Sequence, residues 1–311
     1  MALDADERVE RSTGGSIDLT DKGEVEGRRR QRRRHAIGGR IALYFTALIA
    51  ALAGAGPFIW STITSFKADP DLYTKTNNPF IYNLPPTLDH WRLLFYETEF
   101  LTFAWNTLWV GLVVVAITLL IGLPTAYALA RLNMKWSGPL GIAIFFVYLI
   151  PPTLLFIPLT RVVGNFGLLN NTWSMVLIYP TITVPVSVWL LIGYLKGIPK
   201  DIEEQAMVDG YSRLGAFLHI VIPLSFPGIV AVIVFAFTLS AHEFIYALAF
   251  VSSTTEKTIS IGVPTELIRG DVFYWQSLQA AVVLVALPIA LVFNILLQRF
   301  IAGFTMGAVK G

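Results

Sequence analysis

Residues 198–227 read IPKDIEEQAMVDGYSRLGAFLHIVIPLSFP, the one long polar-containing interruption in an otherwise apolar second half of the chain. The stretch is built to face water. Pro199 can open a helix, because the N–H it lacks would have no partner at the first helical position. Asp201, Glu203 and Glu204 then put negative charge on that helix's positive end. The helix should stop near Gly210, since glycine after Asp209 suits a left-handed turn residue. Ser212 is placed to cap a second helix in which Leu214, Phe217, Leu218 and Val221 share one face. The pattern predicts a short helix, a tight turn and an amphipathic helix over 199–222.

What flanks the stretch is made for a membrane. Of 311 residues, 55% are hydrophobic and 14% charged, where soluble domains carry roughly 25% charged residues. A helix crosses the hydrocarbon with about 20 apolar residues. Runs of that kind cover 41–64, 103–130, 140–159, 173–195, 226–251 and 277–300. Gly122 and Pro124 should kink the second run, and Pro180 and Pro185 lie inside the fourth. Pro151, Pro152 and Pro158 make the outer half of the third irregular, which fits either a pathway wall or a merely bent helix.

Charge assigns the sides. Arg28, Arg29, Arg30, Arg32, Arg33, Arg34 and Arg40 precede the first run; Arg131 and Lys135 follow the second, Lys196 and Lys200 the fourth, and Arg299 and Lys310 the last. The positive-inside rule places all of these in the cytoplasm, together with 198–227 and both termini. Segment 67–100 holds five acidic against three basic residues and 252–276 three against two, so both return outside, as does 161–171. The expected fold is an all-α, multi-pass membrane protein of six transmembrane helices with both termini cytoplasmic. Residues 41–311 form the membrane domain. Residues 1–40 form a disordered, basic-ended tail, too poor in apolar residues to offset the entropy of ordering. Anionic headgroups of the lipid membrane would attract its arginines, and no groove-reading element accompanies them, so no nucleic-acid partner is expected.

The order Glu204, Gln205, Ala206, three residues, Gly210, nine residues, Ile220, one residue, Ile222, Pro223 resembles the EAA motif of ABC-importer permeases, EAA-x3-G-x9-I-x-LP. Gln205 stands where that family usually has Ala, Ile222 where it has Leu, and Tyr211 where a small residue is common. The family's motif forms a cytoplasmic coupling helix that docks into a groove of the ATPase subunit. The resemblance therefore implies ATPase-coupling roles for Glu203, Glu204, Ala206, Asp209, Gly210, Tyr211 and Phe217. The terminal Gly-Ala-Val-Lys-Gly, 307–311, resembles the maltose-transporter branch, whose C-terminal tail reaches the ATPase dimer interface; this implies contacts for Gly307 and Lys310. Looser similarities to that branch are Ser65-Phe66-Lys67, Pro79-Phe80, Pro85-Pro86-Thr87, His90-Trp91, the phrase 124–131 and Gly-Leu-Leu-Asn-Asn-Thr at 167–172.

Within the fifth run, His242 and Glu243 are ionisable residues at membrane depth, which are expensive unless they face a cavity or a partner. The place resembles the family's Trp-Asn-Glu-Phe signature, with Ala241 and His242 replacing the first two letters and only Glu243-Phe244 kept. Glu243, His242, Phe244 and Tyr246 are substrate-pathway candidates; the alternative is that Glu243 is a structural acid hydrogen-bonded to a neighbouring helix.

The chain has no Gly-x4-Gly-Lys-Ser/Thr loop, the phosphate cradle that ATP hydrolysis needs. Its four histidines, His35, His90, His219 and His242, lack metal-ligand spacing, and cysteine is absent. No catalytic residue, metal site or cofactor of its own is expected. The resemblance implies a non-catalytic permease subunit with a type I ABC importer transmembrane domain in the bacterial cytoplasmic membrane. It also implies three partners: a second permease subunit, a dimer of ATP-binding subunits that hold ATP and Mg, and an extracytoplasmic solute-binding protein. The branch implies a sugar, sugar derivative or polyol as cargo; a non-sugar solute is the alternative. An ion-coupled secondary transporter with Glu243 and His242 as proton relay would call for inverted repeats, which the two halves do not display.

Overall fold

A computed structural model of the chain describes residues 19–132 and 135–308. By its internal contacts the chain divides after Trp60, and each part is taken by itself. Helix α1 runs Leu19–Ser65, and its Gly39–Ser65 portion is long and apolar enough to cross a membrane. Residues 19–38 are helical backbone. Their run of Glu, Arg and Gln consists of good helix formers and contains no proline. Residues 1–18 lie outside the described residues.

After short helices α2 (Asp69–Tyr73) and α3 (Asp89–Tyr96) comes α4 (Phe100–Arg131), the axis of the second part. It is followed by α5 (Ser137–Tyr148) and α6 (Pro152–Asn165), which meet at 90°. Pro151 is extended there and Pro152 opens the new helix, so the proline pair turns the chain. Helices α7 (Trp173–Ile178) and α8 (Pro180–Gly197) together make one span-length unit despite Pro180 and Pro185. The 198–227 stretch supplies α9 (Lys200–Val208), α10 (Arg213–Ala216) and α11 (Ile222–Leu224), with a π-turn over Phe217–Val221. Then α12 (Phe226–His242), α13 (Ile245–Phe250), α14 (Ile259–Leu267) and α15 (Trp275–Ala308) complete the chain.

Among the described residues, four helices qualify as membrane spans by length and composition, or six if each of two bent pairs counts as one. The second bent pair is Arg213–Leu224 with Phe226–His242, at 74°. The expected all-α character needs one correction. Strands β1 (Ile268–Arg269) and β2 (Val272–Phe273) pair antiparallel around Gly270, whose φ is +61°. A Gly-Asp turn between β-branched and aromatic residues is a hairpin signal, and here the local turn chemistry overrides the polar-loop reading.

The core is an α4–α8–α12 packing with α7, α13 and α14 against the Phe100 end. Val110, Val114, Met175, Tyr179, Tyr246, Phe250 and Ile261 fill one buried cluster. Ala126, Tyr127, Leu191, Leu195, Phe217, Val221 and Val232 fill another at the Arg131 end. Between α4 and α8 the buried Thr118 and Thr183 hydroxyls pair at 2.6 Å. Each thereby meets its bonding need where water is excluded. Gly262 lets α14 approach α4 so closely that a Cβ there would fall 2.5 Å from the Phe103 ring.

Candidate functional site

The 198–227 element is built from local rules first. Pro199 is the extended residue before α9, one place earlier than the first helical position that its chemistry suggested. Asp201 and Glu203 occupy the acidic first turn. The helix ends in a Schellman motif: Gly210 N–H donates to the Met207 carbonyl at 3.2 Å and Tyr211 N–H to that of Ala206 at 3.1 Å. Closing that motif demands φ near +99° at Gly210, which glycine alone adopts without penalty. Ser212 then caps α10, its Oγ accepting the Gly215 N–H at 3.1 Å.

Past α10 the helix widens. Ile222 N–H donates to the Phe217 carbonyl, a bond five residues long, just before Pro223, which has no N–H to continue the regular ladder. Ser225 closes the bend, its Oγ donating to the Val221 carbonyl at 2.6 Å. The expected single apolar face is thereby divided. Phe217 and Val221 are buried in the bundle, whereas Leu214 and Leu218 stay 66% and 47% exposed. Leu214 and Leu218 stand three residues before and one after Phe217, beside the widened turn, and the bundle covers only Phe217 and Val221.

Tertiary contacts seat the element. The Tyr127 hydroxyl of α4 donates to Glu203 Oε1. Arg131, one turn further along α4, lies with Nε 3.6 Å from Glu203 Oε2 and donates from Nη2 to the Ile198 carbonyl at 2.9 Å. The Tyr127 and Phe217 rings pack with centroids 4.5 Å apart, and Ala206 is buried beneath α9. Glu203 and both its partners are almost inaccessible to water. A buried acid held by a phenol and a guanidinium ties α9 to the end of α4.

Glu204, Asp209 and Gly210 face outward instead, beside exposed Ile202, Val208, Tyr211, Leu214 and Leu218. These five large apolar side chains stand in water on an otherwise polar loop. Tyr127 and Arg131 were missed as members of the site. The sequence signal was their i, i+4 spacing at the end of the second run, which puts a phenol and a guanidinium on one helix face. Gly307 and Lys310 lie outside the residues whose side chains are described.

The four pathway candidates do not converge. Helix α12 ends at His242, and Glu243 is extended; its two carboxylate oxygens accept the N–H groups of Tyr246 and Ala247, each at 3.0 Å. Glu243 is therefore the acceptor for the orphan donors that open α13. Its carbonyl also takes the Ser260 hydroxyl at 2.7 Å. Tyr246 is buried, stacked on Phe250, while His242 and Phe244 are exposed. A cleft of 440 Å³ nearby is lined by Ile117, Ile121, Leu168, Trp173, Val176, Leu177 and Pro180, none of them a pathway candidate.

Comparison with known proteins places this architecture. The family described as binding-protein-dependent transport system inner membrane component matches residues 119–305. The chain is similar to the sulfoquinovosyl glycerol transport system permease protein SmoH of Agrobacterium fabrum, 33% identical over 88% of this chain and 95% of that one. It is also similar to the trehalose/maltose transport system permease protein MalG of Thermococcus litoralis, 28% identical over 88% of this chain and 97% of that one. Among solved structures, a chain of a bacterial ABC transporter involved in the import of the acidic polysaccharide alginate superposes with a TM-score of 0.70. That match has 18% identity and covers 86% of this chain and 98% of the other, a likeness of fold.

Proposed function

The chain belongs to the family of binding-protein-dependent transport system inner membrane components, and from that premise we propose that 198–227 is the part through which ATPase subunits drive it. The protein is a membrane permease subunit of an ABC importer for a carbohydrate. Relatives named for sulfoquinovosyl glycerol, trehalose/maltose, diacetylchitobiose and galactooligosaccharides support a sugar or sugar derivative as cargo. It sits in the bacterial cytoplasmic membrane with six spans, each bent pair counting as one, and with both termini inside. Its partners are a second permease subunit, an extracytoplasmic binding protein, and an ATPase dimer that supplies ATP and Mg; the chain itself is not catalytic.

The observation that carries the reading is the two-sided build of α9–α10. One side is pinned to α4 through Glu203, Tyr127 and Arg131. The other offers Val208, Tyr211, Leu214 and Leu218 to a partner. Closure of the ATPase dimer moves that outer face. The pinned side carries the motion into α4 and α8, tilting spans between inward- and outward-facing states. Gly307 and Lys310 add a second contact at the ATPase interface.

Gly210→Val is the test. No atom of the packed neighbours lies within 4 Å of a Cβ placed at Gly210, so the valine acts chiefly through its aversion to positive φ. The assembled complex should form while substrate-stimulated ATP hydrolysis is lost. Full stimulation in that variant would sink the coupling role.

A further inference from the structure

At the Arg131 end, about 12 Å along α9 from Val208 by helical rise, a cleft of 360 Å³ opens between the last turns of α4 and α8 and the start of α9. Its lining includes Ala130, Arg131, Lys196, Ile198, Pro199 and Lys200: three cations and, among the described residues, no acid. Arg131 is 3% exposed, and its Nε is buried without a hydrogen-bond partner among the described residues. Glu203 offsets part of that charge from 3.6 Å, but the same carboxylate also takes the Tyr127 hydroxyl. Neither lysine forms an ion pair among the described residues, and α9 begins with no side chain capping its first N–H groups. A buried guanidinium, two lysines and an uncapped helix start around one cleft are the donor set for a phosphate. Asp201, in the first turn of α9, is exposed and is the nearest uncommitted acid in sequence.

Depth identifies what carries that phosphate. Arg131 ends a 32-residue apolar helix, and Lys196 stands in the last turn of a 25-residue one, so the cations lie where hydrocarbon gives way to headgroups. Above Lys196 the exposed face of α8 is Gly193 and Trp189, and both Gly193 and Gly197 have open space where a side chain would stand. That bare strip leaves room for an acyl chain.

We propose that the cleft binds the phosphate of an acidic phospholipid, anchoring the α8–α9 elbow to the leaflet on that side. Only the naming of that leaflet as cytoplasmic rests on the permease reading. The test uses the full chain in detergent, exchanged into equal amounts of phosphatidylglycerol and phosphatidylcholine, with retained lipid counted by native mass spectrometry. Lys196→Gln/Lys200→Gln should weaken phosphatidylglycerol retention by about twenty-five-fold, from about fivefold per lysine near a headgroup. Lys196→Arg/Lys200→Arg should retain it as the wild type does. Arg28→Gln/Arg29→Gln, which removes equal charge from the N-terminal cluster, should leave the high-affinity lipid in place.

Equal retention of phosphatidylcholine, or equal loss in the Arg28/Arg29 control, would overturn the site. Displacement by inorganic phosphate at matching concentration would reassign the cleft to a free anion and overturn the lipid assignment. A glutamine double variant that keeps its lipid but no longer co-purifies with the ATPase subunit would give the cleft to that protein instead. None of these outcomes reads transport, so failure here leaves the Gly210 test of the permease reading untouched.

Discussion

Glu203 is the residue on which the candidate site turns, because its carboxylate is buried and both its oxygens are engaged. Tyr127→Phe should leave one oxygen unmet and lower stability by about 1–3 kcal/mol. The readout is the melting temperature of the purified chain in detergent, and an unchanged value would mean that Arg131 alone holds Glu203. A second buried charge network sits between α1 and α3. Lys67 and Asp71 pair at 3.2 Å, both inaccessible, and Asp71 also accepts from the Asn83 side chain at 2.8 Å and the Asn83 N–H at 3.1 Å. Burial pushes the Asp71 carboxyl up, but the Asn83 donors and the Lys67 ammonium outweigh it and lower it from 3.8 to about 2. A carboxyl lowered on folding stabilises above its unfolded value and loses that stabilisation as pH falls toward its folded one. Amide protection over 67–83, taken relative to intrinsic exchange at each pH, should therefore fall between pH 3.8 and about 2. Asp71→Asn should flatten that pH dependence; an identical profile in the variant would assign the opening to other carboxyls.

Among the elements, the α4–α14 crossing shows how little slack the packing has. A Cβ at Gly262 would meet the Phe103 ring at 2.5 Å, and a buried ring cannot swing away as a long flexible side chain could. Gly262→Ala should cost about 1–3 kcal/mol of stability, and adding Phe103→Leu should recover part of it. Additive losses in that double-mutant cycle would show that the two helices do not press on each other there. Element boundaries followed local chemistry where it was strong. Pro151-Pro152 marked an irregular outer half, which is a 90° turn; Asp209-Gly210 marked the stop of α9, and Ser212 the start of α10. Boundaries failed where the cause was not local. Nothing near His242 breaks a helix by propensity, yet α12 ends there because Glu243 captures the first N–H groups of α13.

For the whole molecule, the proposed six-span arrangement predicts opposite exposures for two of its loops. Because cysteine is absent, a single cysteine can report its own side. Ser253→Cys should react with a membrane-impermeant maleimide in intact cells, and Lys135→Cys only after permeabilisation. Equal labelling before permeabilisation would overturn the topology. Both positions are exposed on the protein itself, so the membrane alone decides access.

The amino-acid sequence by itself determined the membrane character, the span-length runs and the helix–turn–helix of 198–227. Those properties depend on the solvation of a segment and on φ preferences at single residues, both of which act within a few positions of the chain. Only the tertiary structure decided which carboxylate of the acidic trio is buried, that Tyr127 and Arg131 receive it, and which stripe of the second helix turns inward. It likewise made Glu243 a helix cap. These outcomes depend on which distant segment supplies a donor or a packing surface; Tyr127 and Glu203 stand 76 residues apart. In 198–227, the sequence alone left three acids equivalent on one helix end. Packing against α4 singled out Glu203 as the anchor and left Asp201 and Glu204 facing out.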